Sequence, residues 1–437
     1  MEQIKEFGKC YYQSSFFNMK IDLPLDLTNL NEIPEGAWGL YYHEYIHYIQ
    51  DITTIYGLMN ISTANFYIQY CASKITKSNS KDFNVPIYIS NIKEDLGNDI
   101  GVLNLELKPI YLGSEINPKT KLVRNLNLTI QNYTTSNEYN IPIVVVEFID
   151  EFDNRRKINF GGNILTEGMA YIAEQYNFNG IINKAEEHPY SIVEKIVDFY
   201  YPEIIEDKIL IFAICDISLM TYHPGHNFIR LLDYLKEKKI NSPIEDYETF
   251  YNDCLKVIKG SHPDFNQIAD IVKNEILKNF NADYFSDTKN WINTLFENVK
   301  VLRSQLPFFA IDLVRFGKPL ENKCFQKTFE VLGSPMTLDG DENGTISLPR
   351  NFSPQTDYFN PSIFMAINQI LRIFYQDKPS CCKLINYCKQ SINEQNHIEI
   401  NKNCYESPWK KAQENNLCPV GQMWHHWALK NYSPKYK

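Results

Sequence analysis

No stretch of this 437-residue chain approaches the roughly 18 uninterrupted apolar residues of a membrane-spanning helix. ILIFAIC at 209–215 is the richest apolar run, and its length suits a buried core segment. Basic charge is also scarce: 43 Lys and Arg stand against 53 Asp and Glu, a net charge of -10, with the two signs interleaved. No basic footprint for a phosphate backbone results, so nucleic acid is not an expected partner. The start, MEQIKEFGKCYYQSSFF, lacks a basic segment followed by about 7–15 apolar residues and does not read as a signal peptide. No internal repeat or low-complexity tract stands out. These absences predict a soluble, cytoplasmic protein with no membrane partner. What is present describes a folded chain: 44% hydrophobic and 14% aromatic residues exclude disorder, and the length allows two or three domains with a sizeable core. Without an export signal, the ten cysteines are expected as reduced thiols or metal ligands rather than disulfides.

The texture of the chain changes along its length. Pro34 suits the first turn of a helix over about Glu35–Thr53, followed by a second over about Met59–Ile75. From 81 to 162, short apolar runs broken by Asn, Gly and Pro read as strands and hairpins: VPIYIS, GVLNLELKPIYL, LVRNLNLTI, IPIVVVEFI, and RRKINFGG after a turn at Asp153 and Asn154. Helical patterning returns at about Ile164 and continues to about Phe316. Residues 317–360 are loop-rich with one hairpin. The fold class is therefore α+β, divided into a domain over 1–316 with a β-rich insertion at 81–162, and a Cys-rich C-terminal domain over 317–437.

Within the first helix lies HEYIH, residues 43–47. His43 and His47 are one turn apart on one face, so both imidazoles can reach a single metal. Glu44 sits beside them, placed to take a proton from a metal-bound water. Zinc needs a third protein ligand and leaves a fourth position for that water. The metzincin pattern would need Gly at 50 and His at 53; Gln50 and Thr53 exclude it. The alternative is a glutamate from another helix, and NILTEGMAYIAEQY at 163–176 supplies Glu167. Gly168 and Ala170 leave room for close packing beside it. Glu174, two turns on, is placed to orient a ligand histidine or to bind a substrate amine.

HEYIH followed by ILTEGMAYIAE resembles the gluzincin class of zinc metallopeptidases, whose aminopeptidase members carry H-E-x-x-H and then L-x-E-G-x-A-x-Y-x-E. Thermolysin-like members place an Asp four residues after the second histidine, as Asp51 stands after His47. The resemblance implies a largely helical zincin-like catalytic core, with His43, His47 and Glu167 as zinc ligands, Glu44 as general base and Asp51 behind the ligands. It also implies an oxyanion donor beyond the third ligand, for which TYHPGHNF at 221–228 offers Tyr222, His223 and His226. The chain departs from the family in three ways. Residues 48–166, 119 in all, separate His47 from Glu167, against about two dozen in the family; Tyr171 follows Glu167 by four positions rather than five; no G-x-M-E-N precedes the motif.

Two further constellations stand apart. Five cysteines fall in residues 381–437, and Cys382, Cys388, Cys404 and Cys418 are the set that could close a second, structural zinc site, with buried reduced thiols as the plainer alternative. DGDENGTISLPR at 339–350 starts like a calcium loop with Asp339, Asp341, Asn343, Gly344 and Ile346 in register, but Arg350 occupies the position of the bidentate Glu, so a hairpin turn is expected. PIVVVEF at 142–148 reads as a core strand in preference to a sheet edge for an extended peptide.

The expected activity is zinc-dependent hydrolysis of peptide bonds in a specific cytosolic protein target, under narrow specificity or a regulatory partner; a toxin-like or defence effector is compatible. The alternatives are a non-catalytic binding or regulatory protein on the same scaffold, and a zinc hydrolase of a non-peptide amide.

Overall fold

A computed structural model describes residues 10–27, 29–97, 99–135, 139–179, 185–240, 243–356, 359–390 and 398–436. Most of the start that was read for a signal peptide, residues 1–9, lies outside that range. The chain opens with a hairpin of β1 (Tyr11–Gln13) and β2 (Asn18–Lys20), then enters α1 (Glu35–Thr53) and α2 (Ile55–Lys77). Next come β3 (Asp82–Val85), α3 (Ile89–Leu96), α4 (Ile100–Leu112), β4 (Arg124–Thr134), β5 (Asn140–Ile149) and β6 (Arg155–Phe160). A helical run follows: α5 (Gly162–Phe178), the single turn α6 (Glu187–Tyr190), α7 (Ile192–Tyr200), α8 (Lys208–Leu219), α9 (Pro224–Lys238), α10 (Tyr247–Val257), α11 (Phe265–Leu277), α12 (Ser286–Gln305) and α13 (Phe309–Arg315). The last stretch holds α14 (Lys323–Leu332), β7 (Met336–Leu338), β8 (Gly344–Thr345), α15 (Ile363–Tyr375), α16 (Ile385–Gln390), α17 (Lys402–Glu406), α18 (Pro419–His426) and β9 (Ser433–Tyr436). The architecture is α+β, mainly helical with three small sheets.

The three sheets stitch distant segments together. β2 takes β1 antiparallel on one side and β7 parallel on the other, with Asn18 opposite Met336. β9 pairs with β3 in parallel, Asp82 opposite Ser433, so residues 317–437 close onto the first third of the chain through two separate sheets. In the third sheet β5 is the central strand, hydrogen-bonded to β4 and β6. Val144, Val146 and Phe148 alternate inward on it, which is the core reading of PIVVVEF; both of its edges are occupied, so no peptide adds there. The turn at Asp153 joins β5 to β6, where Asp150 Oδ1 accepts the N–H groups of Phe152 and Asn154, each at 2.9 Å.

GVLNLELKPIYL is a helix, α4, and not the expected strand. Leu103, Leu105 and Leu107 alternate with Asn104, Glu106 and Lys108, which mimics a strand period. Val102, Leu105 and Ile110 are nevertheless buried at helical spacing, Asp99 caps the start by accepting the Gly101 N–H at 2.7 Å, and Gly113 ends the helix at φ 74°. VPIYIS is likewise the end of β3 and the approach to α3 rather than one strand. The 81–162 segment is therefore mixed. In 317–360 the hairpin of β7 and β8 is present, with Asp339 Oδ1 accepting the N–H groups of Asp341 and Asn343 as a turn carboxylate. The preceding α14 is an additional helix in that loop-rich stretch.

Apolar side chains from Phe16 to Leu429 form one continuous cluster. At its centre is α8, whose ILIFAIC segment is buried on every side. Among the described residues no helix is long and apolar enough to cross a membrane. The first helix, α1, is anchored at many points. Its buried tyrosines donate to carbonyls: Tyr42 to Leu313 in the last turn of α13 at 2.9 Å, and Tyr45 to Gly333 at 3.1 Å and Tyr48 to Leu332 at 3.2 Å, these two satisfying groups left open where α14 ends. At its C-terminal end Arg303 donates to the Thr53 carbonyl at 2.7 Å while forming a buried two-point pair with Asp216 at 2.8 and 3.0 Å. Thr54 then turns the chain into α2, its hydroxyl accepting the Gly57 N–H at 3.0 Å. A Cβ on Gly57 would lie 2.2 Å from the Asp51 carbonyl, so this corner admits only glycine.

Candidate metal centre

α1 packs against α5, and the contact brings HEYIH onto the TEGMAYIAE face. Gly168 serves a different neighbour: a Cβ there would meet Val193 Cγ2 of α7 at 2.4 Å. His43 Nε2 and His47 Nε2 lie 3.2 Å apart, and Glu167 Oε2 lies 3.6 Å from each. Among the described residues, this is the one set of three or more His, Cys, Asp or Glu whose ligating atoms all fall within 4.8 Å. Zinc bonds of 2.0–2.2 Å in tetrahedral geometry place ligand atoms about 3.3–3.6 Å apart, so the triangle has the edges that a zinc ion would impose.

The far side of each ring sets its tautomer. His43 Nδ1 faces Glu174 Oε2 at 2.7 Å, and His47 Nδ1 faces Gln50 Oε1 at 2.8 Å. Both Nδ1 atoms therefore act as donors, and in the neutral rings both Nε2 lone pairs turn inward toward each other and toward Glu167. Three converging acceptors repel unless a cation sits among them. With only protons available, the cluster responds as a charge pair. Burial and the partner groups oppose one another at His43 and His47, and the neighbouring carboxylates win, raising both imidazoles. Burial would raise Glu167, but the imidazoles of His47 and His43 hold it well below the usual carboxylate range.

Glu44 is buried and its carboxyl is raised by that burial, partly offset by His43 and His47. Asp51 does not support a ligand histidine. Its Oδ2 accepts the Tyr12 hydroxyl at 2.9 Å and the Ser15 N–H at 2.7 Å, tying the β1–β2 hairpin to α1, while Gln50, one residue earlier on the helix, takes the position behind His47. Gln50 is fixed in turn by donating from Nε2 to the Thr166 carbonyl at 3.0 Å. Burial pushes the Asp51 carboxyl up to about 7, against the lowering effect of Ser15 and Tyr12.

Among the described residues, no hydrogen bond, ion pair or ring contact joins Tyr222, His223 or His226 to the metal group. His223 Nε2 faces the Pro142 carbonyl at 2.5 Å, its ring lies against Tyr111 and His226, and burial pushes it down to about 4. Burial also lowers His226. Tyr222 lines a small pocket with Tyr56, Asn60, Lys108 and Tyr111; the first three of these also line the cavity beside His47. The phenol packed on a ligand is Tyr190, whose ring centroid lies 5.9 Å from that of His43 and whose Oη accepts from Lys119 Nζ at 2.7 Å. Neither Gln50 nor Tyr190 carries a local sequence signal; Tyr190 follows a cis His188–Pro189 bond well past Glu167.

The four cysteines Cys382, Cys388, Cys404 and Cys418 line one small, mostly apolar cavity. The Cys382 N–H donates to the Cys404 carbonyl at 2.8 Å, and the Gly421 N–H faces Cys418 Sγ at 3.5 Å. No three of their sulfurs fall within 4.8 Å of one another, whereas Zn–S bonds of 2.3 Å need sulfurs about 3.8 Å apart. They form a cluster of free thiols, and burial raises Cys382, Cys388 and Cys418.

No family model, no curated protein and no solved structure matches this chain.

Proposed function

We propose that the protein is a zinc-dependent metallopeptidase on a zincin-like core, with His43, His47 and Glu167 as ligands. One observation carries the reading: the 3.2, 3.6 and 3.6 Å triangle of His43 Nε2, His47 Nε2 and Glu167 Oε2, each imidazole held from behind by a hydrogen bond. A zinc ion bound there would supply a Lewis acid and an acidified water. Glu44, buried next to His43 on α1, takes the proton of the attacking water and delivers it to the leaving amine. Tyr190, on the His43 ring, is the donor for the developing oxyanion, in place of the 222–226 segment. Glu174 and Gln50 hold the imidazoles in the ligating tautomer. Ten free cysteines fit a reducing compartment, so the target is a cytosolic protein or peptide.

The test compares wild type with Glu44→Gln, both loaded with zinc, on a mixture of peptides read by mass spectrometry. Cleavage by wild type alone, with equal zinc in both proteins, is the expected result. Equal cleavage by the two, or none by either, rejects the peptidase reading.

A further inference from the structure

The helix α4 contributes Lys108 to a cavity of about 260 Å³ whose lining also includes His47, Gln50, Asn60, Asn163 and Thr166. The cavity thus adjoins the metal group, and all but one of its charged or titratable lining groups are accounted for. His47 is a ligand. Asp51, the one acid on the lining, has its Oδ2 engaged by Tyr12 and Ser15. The exception is Lys108, whose ammonium has no hydrogen-bond or ion-pair partner among the described residues. Lys108 is half-buried on α4, so its ammonium stands on the cavity wall without a counter-charge bonded to it, where it can meet an anion that enters beside the metal group. The neutral side chains of Ser15, Asn60 and Asn163 around it bring further hydrogen-bonding groups and no competing negative charge.

We propose that Lys108 receives a carboxylate of the bound substrate, which makes peptides bearing a carboxylate next to the scissile bond the preferred substrate class. This rests on the metallopeptidase reading for the identity of the ligand, while the anion site itself stands on the cavity. A carboxylate at that place comes either from a free C-terminus or from an Asp or Glu side chain. Both present the same planar oxygens to an ammonium.

Four synthetic hexapeptides separate the cases: one sequence with Glu or Gln at its fifth position, each as free acid and as C-terminal amide. Their binding to zinc-loaded Glu44→Gln protein is measured by calorimetry, with and without Lys108→Met and Lys108→Arg, after circular dichroism shows that each variant folds. A carboxylate-bearing form is expected to bind about 10–100-fold more tightly than its neutral counterpart, as a charge-assisted hydrogen bond provides. Lys108→Met abolishes that preference and Lys108→Arg keeps part of it. Preference for acid over amide assigns the terminus; preference for Glu over Gln assigns the side chain. Equal binding of all four, no binding of any, or a preference that survives Lys108→Met overturns the proposal. Turnover of the same peptides by wild type is scored separately. Carboxylate binding that depends on Lys108 without cleavage retains the anion site and removes the peptidase reading; cleavage without carboxylate preference does the reverse.

Discussion

Replacing Glu174 by Gln should weaken zinc binding without changing any ligand. Glu174 Oε2 lies 2.7 Å from His43 Nδ1, and both side chains are buried, so the bond is shielded from solvent and from salt. The amide oxygen of Gln can still accept from Nδ1–H and keep the tautomer, but the negative charge that makes the imidazole more basic is lost. Partners of this kind are worth 10–100-fold in metal affinity, about 1.4–2.8 kcal/mol at 1.4 kcal/mol per tenfold. Gln50, the corresponding partner of His47, is neutral already, so Gln50→Leu removes orientation but no charge. Two comparisons follow. Glu174→Gln should raise the zinc Kd by about 10-fold, and Glu174→Ala, which also frees the ring, by about 100-fold. Competition with a chromophoric chelator at fixed pH measures both. Unchanged affinity in Glu174→Ala would show that the 2.7 Å contact does not support a ligand, and the assignment of His43 Nε2 to the metal would lose its basis.

Three further outcomes are expected. Tyr190→Phe should lower kcat by about 100-fold with zinc content intact, as loss of an oxyanion donor does; unchanged kcat in a peptide assay would leave Tyr190 with a packing role only. Arg303→Met strands the buried Asp216 carboxylate and frees the end of α1, so urea denaturation should report a loss of about 3–5 kcal/mol, and a loss under 1 kcal/mol would contradict the pairing. Asp51 gives a pH signature: its folded value of about 7 lies above the ordinary 3.8, so the folded protein keeps a proton that the unfolded chain has released. The stability of wild type relative to Asp51→Asn should therefore fall as the pH rises through that interval. A difference between the two proteins that instead rises between those values would refute the shift.

The metal group was legible because its geometry is local. An i, i+4 histidine pair on one helix and two glutamates two turns apart on another need only one helix packing to converge. The bounds of α1 followed from Pro34 for the same reason. The residues behind and above the ligands were less accessible. Which of Gln50 and Asp51 supports His47 depends on the pull of the β1–β2 hairpin on Asp51 through Tyr12 and Ser15, a contact 36 to 39 positions away in sequence. Tyr190 arrives through a turn with no pattern of its own. Lys108 was hidden because the alternating leucines of α4 imitate a strand; the caps at Asp99 and Gly113 were the overlooked signal. The four cysteines converge on one cavity, but sulfur spacing is set by packing that composition does not reveal.

Elemental analysis of wild type beside Glu167→Ala, both purified without chelator and checked for fold, tests the central claim most directly. One zinc per chain in wild type and none in Glu167→Ala is the expected result. Full zinc retention by Glu167→Ala would place the third ligand elsewhere and contradict the triangle of His43, His47 and Glu167.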